Sequence, residues 1–151
     1  MSFFKGYQDK GLVKAVHPNF RQIEQQILRA EKDLKTYSLV VKADPEWASS
    51  IVYQGMIRMG RALLFSFGFL PSDGAQHKTV VELTGRILGT DFDIIVKQFD
   101  RLRRKRNVFF YDAEDAHNFT EAKRAFETAQ TLLKQIKKEV KVKNPQYGFQ
   151  F

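Results

Sequence analysis

A chain of 151 residues with 43% hydrophobic and 28% charged side chains has the make-up of one soluble globular domain, long enough to bury a core without staples. It contains no cysteine, which excludes disulfide frameworks, thiolate zinc sites and cysteine nucleophiles and fits a cytoplasmic location. A net charge of +8 favours partners carrying phosphates or acidic surfaces; the longest apolar run, residues 62–70, is about half of what a membrane span requires, so no membrane contact is expected.

Residues 1–18 read as an N-terminal arm. Gly6 and Gly11 interrupt it, Pro18 closes it, and Phe3, Phe4 and Tyr7 are available to pack back onto the domain. From Asn19, apolar side chains at Phe20, Ile23, Ile27, Ala30, Leu34, Tyr37 and Val41 step by three and four, which predicts one amphipathic helix ending at Lys42 and Ala43. Asp44 and Pro45 have the chemistry of an N-cap and a first-turn proline. The helix they open runs to about Gly68, and its apolar residues, Trp47, Ile51, Val52, Met56, Met59 and Leu63 among them, cover more than half its circumference. A helix so apolar belongs at the centre of a bundle. Gly55 and Gly60 each forfeit about 1 kcal/mol of helix propensity, which close approach of a neighbouring backbone would offset.

Residues 68–77 read as a loop from their Gly, Pro, Ser and Asp content. A short helix follows from about His77 to Leu88, ended by Gly89, and Asp91 is placed to cap a fourth. Residues 112–120 form a polar connection in which Asn118 and Glu121 have capping-box spacing, with Thr120 as the other candidate cap. The last helix shows Ala122, Phe126, Ala129, Leu133, Ile136 and Val140 on one face and stops before Pro145. No stretch alternates long enough for a strand, except in the tail, where Tyr147, Phe149 and Phe151 would share one side of an extended segment. The expected architecture is all-α: an antiparallel bundle of four long helices plus one short helix over residues 19–143, between the arm at 1–18 and a C-terminal tail at 144–151.

The chain has no glycine-rich phosphate loop. His17, His77 and His117 stand apart, with no second ligand at metal spacing, so neither a metal nor a cofactor is expected. The conspicuous stretch is residues 101–112, RLRRKRNVFFYD. The apolar stripe of the fourth helix runs through Phe92, Ile95, Phe99 and Leu102 and then reaches Arg106 before Phe109. Arg106 therefore falls on the core seam, where the pattern predicts Leu or Ile. Arg101, Arg104 and Lys105 point away from the seam, and Arg103 and Asn107 lie along its edge. A guanidinium on a seam needs a carboxylate, several carbonyls or a ligand anion. It is either a structural arginine paired across the bundle or a recessed one that grips a phosphate bidentately.

The helix order, with YQGMIRMGRALLFSFGF, then HKTVVE, then RLRRKRNVFFYD before a final amphipathic helix, resembles the HEPN domain (higher eukaryotes and prokaryotes nucleotide-binding) from about Phe20 to Val140. The resemblance implies a helical bundle that commonly pairs into a homodimer, with the arginine motifs of both chains facing one cleft. It also implies either metal-independent ribonuclease activity, often as a toxin paired with a nucleotidyltransferase antitoxin, or binding of RNA or nucleotides alone. The family's motif is an Arg, usually followed by a polar residue, and a His about a turn and a half downstream. Arg106 matches the Arg and Asn107 the polar residue, but the His position holds Tyr111, or Phe110 at one shorter spacing. A phenol with a pKa near 10 is a poor base beside an imidazole near 6.5. The reading is therefore an RNA- or nucleotide-binding dimer, catalytically degenerate, with Arg101, Arg103, Arg104, Arg106 and Asn107 as its nucleic-acid contacts. Two alternatives stay open: a ribonuclease using Arg106 and Tyr111, and a helical interaction module whose basic face meets an acidic protein.

Overall fold

The computed structural model describes residues 2–72, 76–111 and 118–151, the side chains of residues 107–111 excepted. The four long predicted helices are present: α2 at Phe20–Val40, α3 at Pro45–Ser66, α5 at Asp93–Tyr111 and α6 at Phe119–Lys143, with α4, the short one, at Gln76–Leu88 and a further short helix, α1, at Phe3–Asp9. Asp44 and Asn118 cap as the side chains predict, and Asn19 is a third cap. Asn19 accepts a hydrogen bond from the Gln22 amide at 3.1 Å, Asp44 from the Trp47 amide at 3.0 Å, and Asn118 from the Glu121 amide at 2.9 Å, each satisfying a donor that the first helical turn leaves free. Asp91 does not cap α5. Gly89, at φ 83°, ends α4, residues Thr90–Phe92 make a 3-10 turn, and α5 starts at Asp93.

The central helix is α3, which packs against α2, α4, α5 and α6. Val52, Met56, Met59, Leu63 and Leu64 are fully enclosed, as its wide apolar arc requires. Trp47 departs from that arc and is 55% exposed, because in the first turn of α3 the wide arc already extends past the neighbouring helices. The two glycines of α3 sit where neighbours come closest. A Cβ on Gly55 would lie 3.3 Å from Asp33 Cβ and 3.4 Å from the Ala30 carbonyl oxygen of α2, while one on Gly60 would lie 2.6 Å from a methyl of Val80 in α4 and 3.1 Å from the Thr84 hydroxyl. Only Gly55 thus admits a neighbouring backbone; Gly60 admits a β-branched side chain. Asp33, buried beside Gly55, is held by Arg58 at 3.1 Å and Arg29 at 3.5 Å.

The N-terminal arm is ordered, and the strands that the pattern does not announce lie there and in the expected 68–77 loop. Val13–Ala15, β1, pairs antiparallel with Phe69–Pro71, β2, with Val13 opposite Pro71 and Ala15 opposite Phe69. Three residues are too few for period two to be visible in the sequence. The driving contact is aromatic: Phe4 is buried, with its ring stacked on Phe69 at 4.4 Å and tilted against Phe67 at 5.9 Å. Tyr7 donates to Glu82 of α4 at 2.8 Å. The C-terminal tail docks too. Phe149 meets Phe20 at 6.1 Å and stacks on Phe151 at 4.9 Å, and the Gln150 amide donates to Glu24 at 2.7 Å.

The fit of Val80 over Gly60 gives a direct test. Gly60→Ala gains helix propensity but forces the enclosed Val80 to move, and overpacking of this kind costs roughly 1–3 kcal/mol. Urea denaturation is expected to show net destabilisation, and a Gly60→Ala/Val80→Ala double variant is expected to lose less than the sum of the two single losses.

Candidate phosphate site around Arg106

The basic run of α5 divides by partner. Arg103 donates to Asp100 Oδ1 at 2.9 Å and Arg104 reaches Asp100 Oδ2 at 3.1 Å, pairs one helical turn apart. Lys105 donates to Glu121 at 2.6 Å and Arg101 lies 3.8 Å from the same carboxylate, tying α5 to α6. Four cations of the run are thus met by two carboxylates. Arg106 has a different environment. Its Nη1 donates to His77 Nδ1 at 2.6 Å, and the Tyr53 hydroxyl lies 2.8 Å from that same ring nitrogen. Among the described residues, no carboxylate lies within ion-pair distance of Arg106.

The seam expectation is corrected here. Arg106 is exposed, not buried in the core. On the stripe of α5 only Phe99 is fully enclosed, and Phe92, Ile95 and Leu102 are partly covered. At the next step of the stripe Arg106 lies at the surface, so the guanidinium keeps water on one side and meets Tyr53 of α3 and His77 of α4 with the other. No buried counter-charge is required for such a group. Arg103 is three-quarters covered and Arg104 is two-thirds exposed, in keeping with one at the seam's edge and one facing away. Asn107 and Tyr111 continue α5, with their side chains outside the description, and His117 lies outside the described residues.

Three helices assemble the cluster. Tyr53 stands mid-way along α3, 4% exposed, with its ring edge against Phe99 at 6.2 Å, and a phenol buried to that depth needs a polar partner for its hydroxyl. His77, half-buried in the first turn of α4, supplies it. Arg106 then closes over both. Sequence reasoning assigned neither Tyr53 nor His77 a role, since His77 and Arg106 are 29 positions apart and no spacing rule joins them. The one available signal was the polar hydroxyl of Tyr53 between Val52 and Met56 on the most apolar helix.

The protonation states follow from the donors. Arginine can only donate, so Nδ1 of His77 accepts and its proton sits on Nε2. Burial lowers the pKa of His77, and the positive charges of Arg106, Arg61 and Arg103 lower it further. Burial pushes the Tyr53 phenol up to about 12, against the opposing pull of Arg106 and Arg103. At neutral pH the cluster is therefore a guanidinium held by a neutral imidazole and a neutral phenol. Such a group has a cation with no carboxylate partner among the described residues, a proton acceptor and hydroxyl and imidazole donors within one hydrogen-bond length of each other, which suits a phosphate oxyanion. Among the described residues no group of three or more His, Asp or Glu side chains is placed to hold a metal ion, and no helix is long and apolar enough to cross a membrane.

An all-α bundle with a central glycine-bearing helix and an arginine near the end of the penultimate helix defines the class. The HEPN domain family model matches residues 23–140, most of the chain. This protein belongs to the HEPN family. No curated protein and no solved structure matches it.

The depressed pKa of His77 has a thermodynamic consequence. The folded chain holds this proton less tightly than the unfolded chain, whose histidines titrate near 6.5. Stability from this group is therefore present above that value and is lost as pH falls through it. Urea titrations from about pH 7.5 to about pH 5 are expected to show a steeper loss for the wild type than for His77→Gln, which has no proton to gain.

Proposed function

We propose that this HEPN-family protein binds RNA through the phosphate backbone, with Arg106 as the phosphate ligand and His77 and Tyr53 as the groups that hold it in place. The supporting observation is the pairing pattern of α5: four neighbouring cations are met by Asp100 and Glu121, whereas Arg106 rests on two neutral side chains. A cation so placed exchanges a neutral partner for a phosphate without breaking any ion pair made among the described residues. Arg101, Arg103 and Arg104 add a positive field beside it, which steers a polyanion towards the site. The homodimer and the nucleotidyltransferase partner that the family resemblance implies belong to this proposal, as does nucleotide binding at the same cluster.

A second reading, metal-independent cleavage of RNA, is favoured by one observation. The imidazole that the motif lacks on α5 is supplied beside Arg106 by α4, in the neutral form a base requires. When Arg106 and the Tyr53 hydroxyl both turn to the phosphate, they release Nδ1 of His77. That lone pair takes the proton of the attacking 2′-hydroxyl, a 2′-oxygen–phosphorus bond forms as the 5′-oxygen bond breaks, and the leaving oxygen takes a proton back. His77, not Tyr111, carries the proton in this reading.

Binding and cleavage are measured separately. RNA affinity is expected to fall steeply with salt, and Arg104→Ala is expected to reduce the salt slope by about one. Affinity is also expected to rise as pH falls from about 7.5 towards 6, because a phosphate favours the protonated imidazole, and His77→Ala is expected to remove that rise. In a chelator, cleavage of single-stranded RNA lost by roughly a hundredfold or more in both His77→Ala and Arg106→Ala would establish the second reading. Tight binding without cleavage would leave the first, and affinity for an acidic protein with none for RNA would return the basic face to the interaction-module reading.

A further inference from the structure

His77 has a second environment. Besides meeting Arg106 and Tyr53, it forms one end of an open groove of about 460 Å³ between α2 and α3. That volume lies within the range of sites that take small organic ligands, roughly 300–1,000 Å³. The groove's walls have an uncommon composition. Gln22, Gln25 and Gln26 come from α2, and Gln54, Arg58 and Arg61 from α3. On each helix the spacing of three and four puts the set on a single face, so two antiparallel helices present facing rows of amides and guanidinia. The carboxylate of Asp33 lies outside the lining but against Arg58. Arg61 is steadied by Gln76, whose Oε1 accepts from it at 3.2 Å, and the partly buried Phe65 offers an aromatic surface in the same wall.

Amides and guanidinia suit a particular ligand chemistry. Each glutamine offers a donor pair and an acceptor on one planar group, the complement of the donor–acceptor edge of a nucleobase, and carries no charge that would demand a counter-ion. Bases of single-stranded RNA are recognised when they are turned out of the stack and hydrogen-bonded along their edges, whereas the edges of an A-form duplex are largely withheld. The groove and the Arg106 cluster meet at one residue, His77, so a phosphate on Arg106 leaves the adjoining nucleoside at the mouth of the groove.

We propose that the α2–α3 groove takes one unstacked base of a single-stranded RNA, next to the phosphate held by Arg106, and that the glutamine rows give the protein a base preference. This rests on the RNA-binding reading above and adds to it the class of RNA bound and the surface that reads it.

Fluorescence anisotropy with four labelled homopolymeric RNA strands, in the size range of about 4–16 nucleotides that single-strand sites cover, separates the two claims. The wild type is expected to prefer one base by about fivefold or more. In Gln25→Ala/Gln54→Ala that preference is expected to disappear, with the favoured strand falling to the affinity of the others. Both positions are exposed, and circular dichroism checks that the variant is folded. Arg106→Ala is expected to weaken all four strands alike. A preference that survives the double variant, equal affinity of the wild type for all four strands, or equal affinity for duplex and single strand would overturn the groove while leaving phosphate binding standing. Absence of any wild-type RNA affinity would overturn the RNA-binding reading itself.

Discussion

The rest of the molecule depends on the enclosure of α3. A helix packed against four others has little outward face on which to place bulk, so space must be given up at the points of closest approach. Gly55 and Gly60 are those points, and they admit Asp33 and Ala30 of α2 on one side and Val80 and Thr84 of α4 on another. The propensity lost at two glycines is small beside the apolar area they allow to close, since each fully buried Val or Leu contributes roughly 1.5–3 kcal/mol. The seating of α4 on α3 is therefore a matter of shape, fixed to within a methyl group.

That seating also determines the chemistry at the surface. Tyr53 is part of the enclosed helix and fixed by its packing against Phe99; His77 is in the first turn of the helix that Val80 locks over Gly60. The imidazole is thus oriented by packing on one side and by the phenol's hydrogen bond on the other, while Arg106 reaches it from an exposed position on α5. A rigid pair and a mobile-headed cation make a useful combination: the pair holds its geometry while the long arginine side chain exchanges one partner for another.

Much of the scaffold was legible because it is written in local chemistry. Asn19, Asp44 and Asn118 cap the helices they precede, and the three-four stripe of α2 buries Ile23, Ile27, Ala30, Leu34 and Tyr37 as spaced. The short strands were not legible, since three residues carry no period and the pairing of β1 with β2 depends on Phe4, which lies outside both. The site was half legible. Arg106 stood out because it interrupts a stripe, but the stripe could not say that this step would lie at the surface. His77 was seen as a solitary histidine, because its partners come from two other helices and contact across a bundle leaves no trace in spacing. The motif points downstream along α5, to Tyr111, whereas the imidazole that meets Arg106 stands on α4.

One consequence follows from the short sheet. The strand β2 ends at Pro71 and α4 opens at Gln76, so His77 follows that strand closely in the chain. The partners of that strand are β1, hydrogen-bonded to it, and Phe4, stacked on its Phe69. Both lie before residue 23, where the family match begins. A fragment trimmed to the matched residues would keep most of every bundle helix yet lose both partners of the strand that precedes His77, leaving more freedom there to be lost on ordering. The segment farthest from the arginine along the chain is in this sense part of its anchorage.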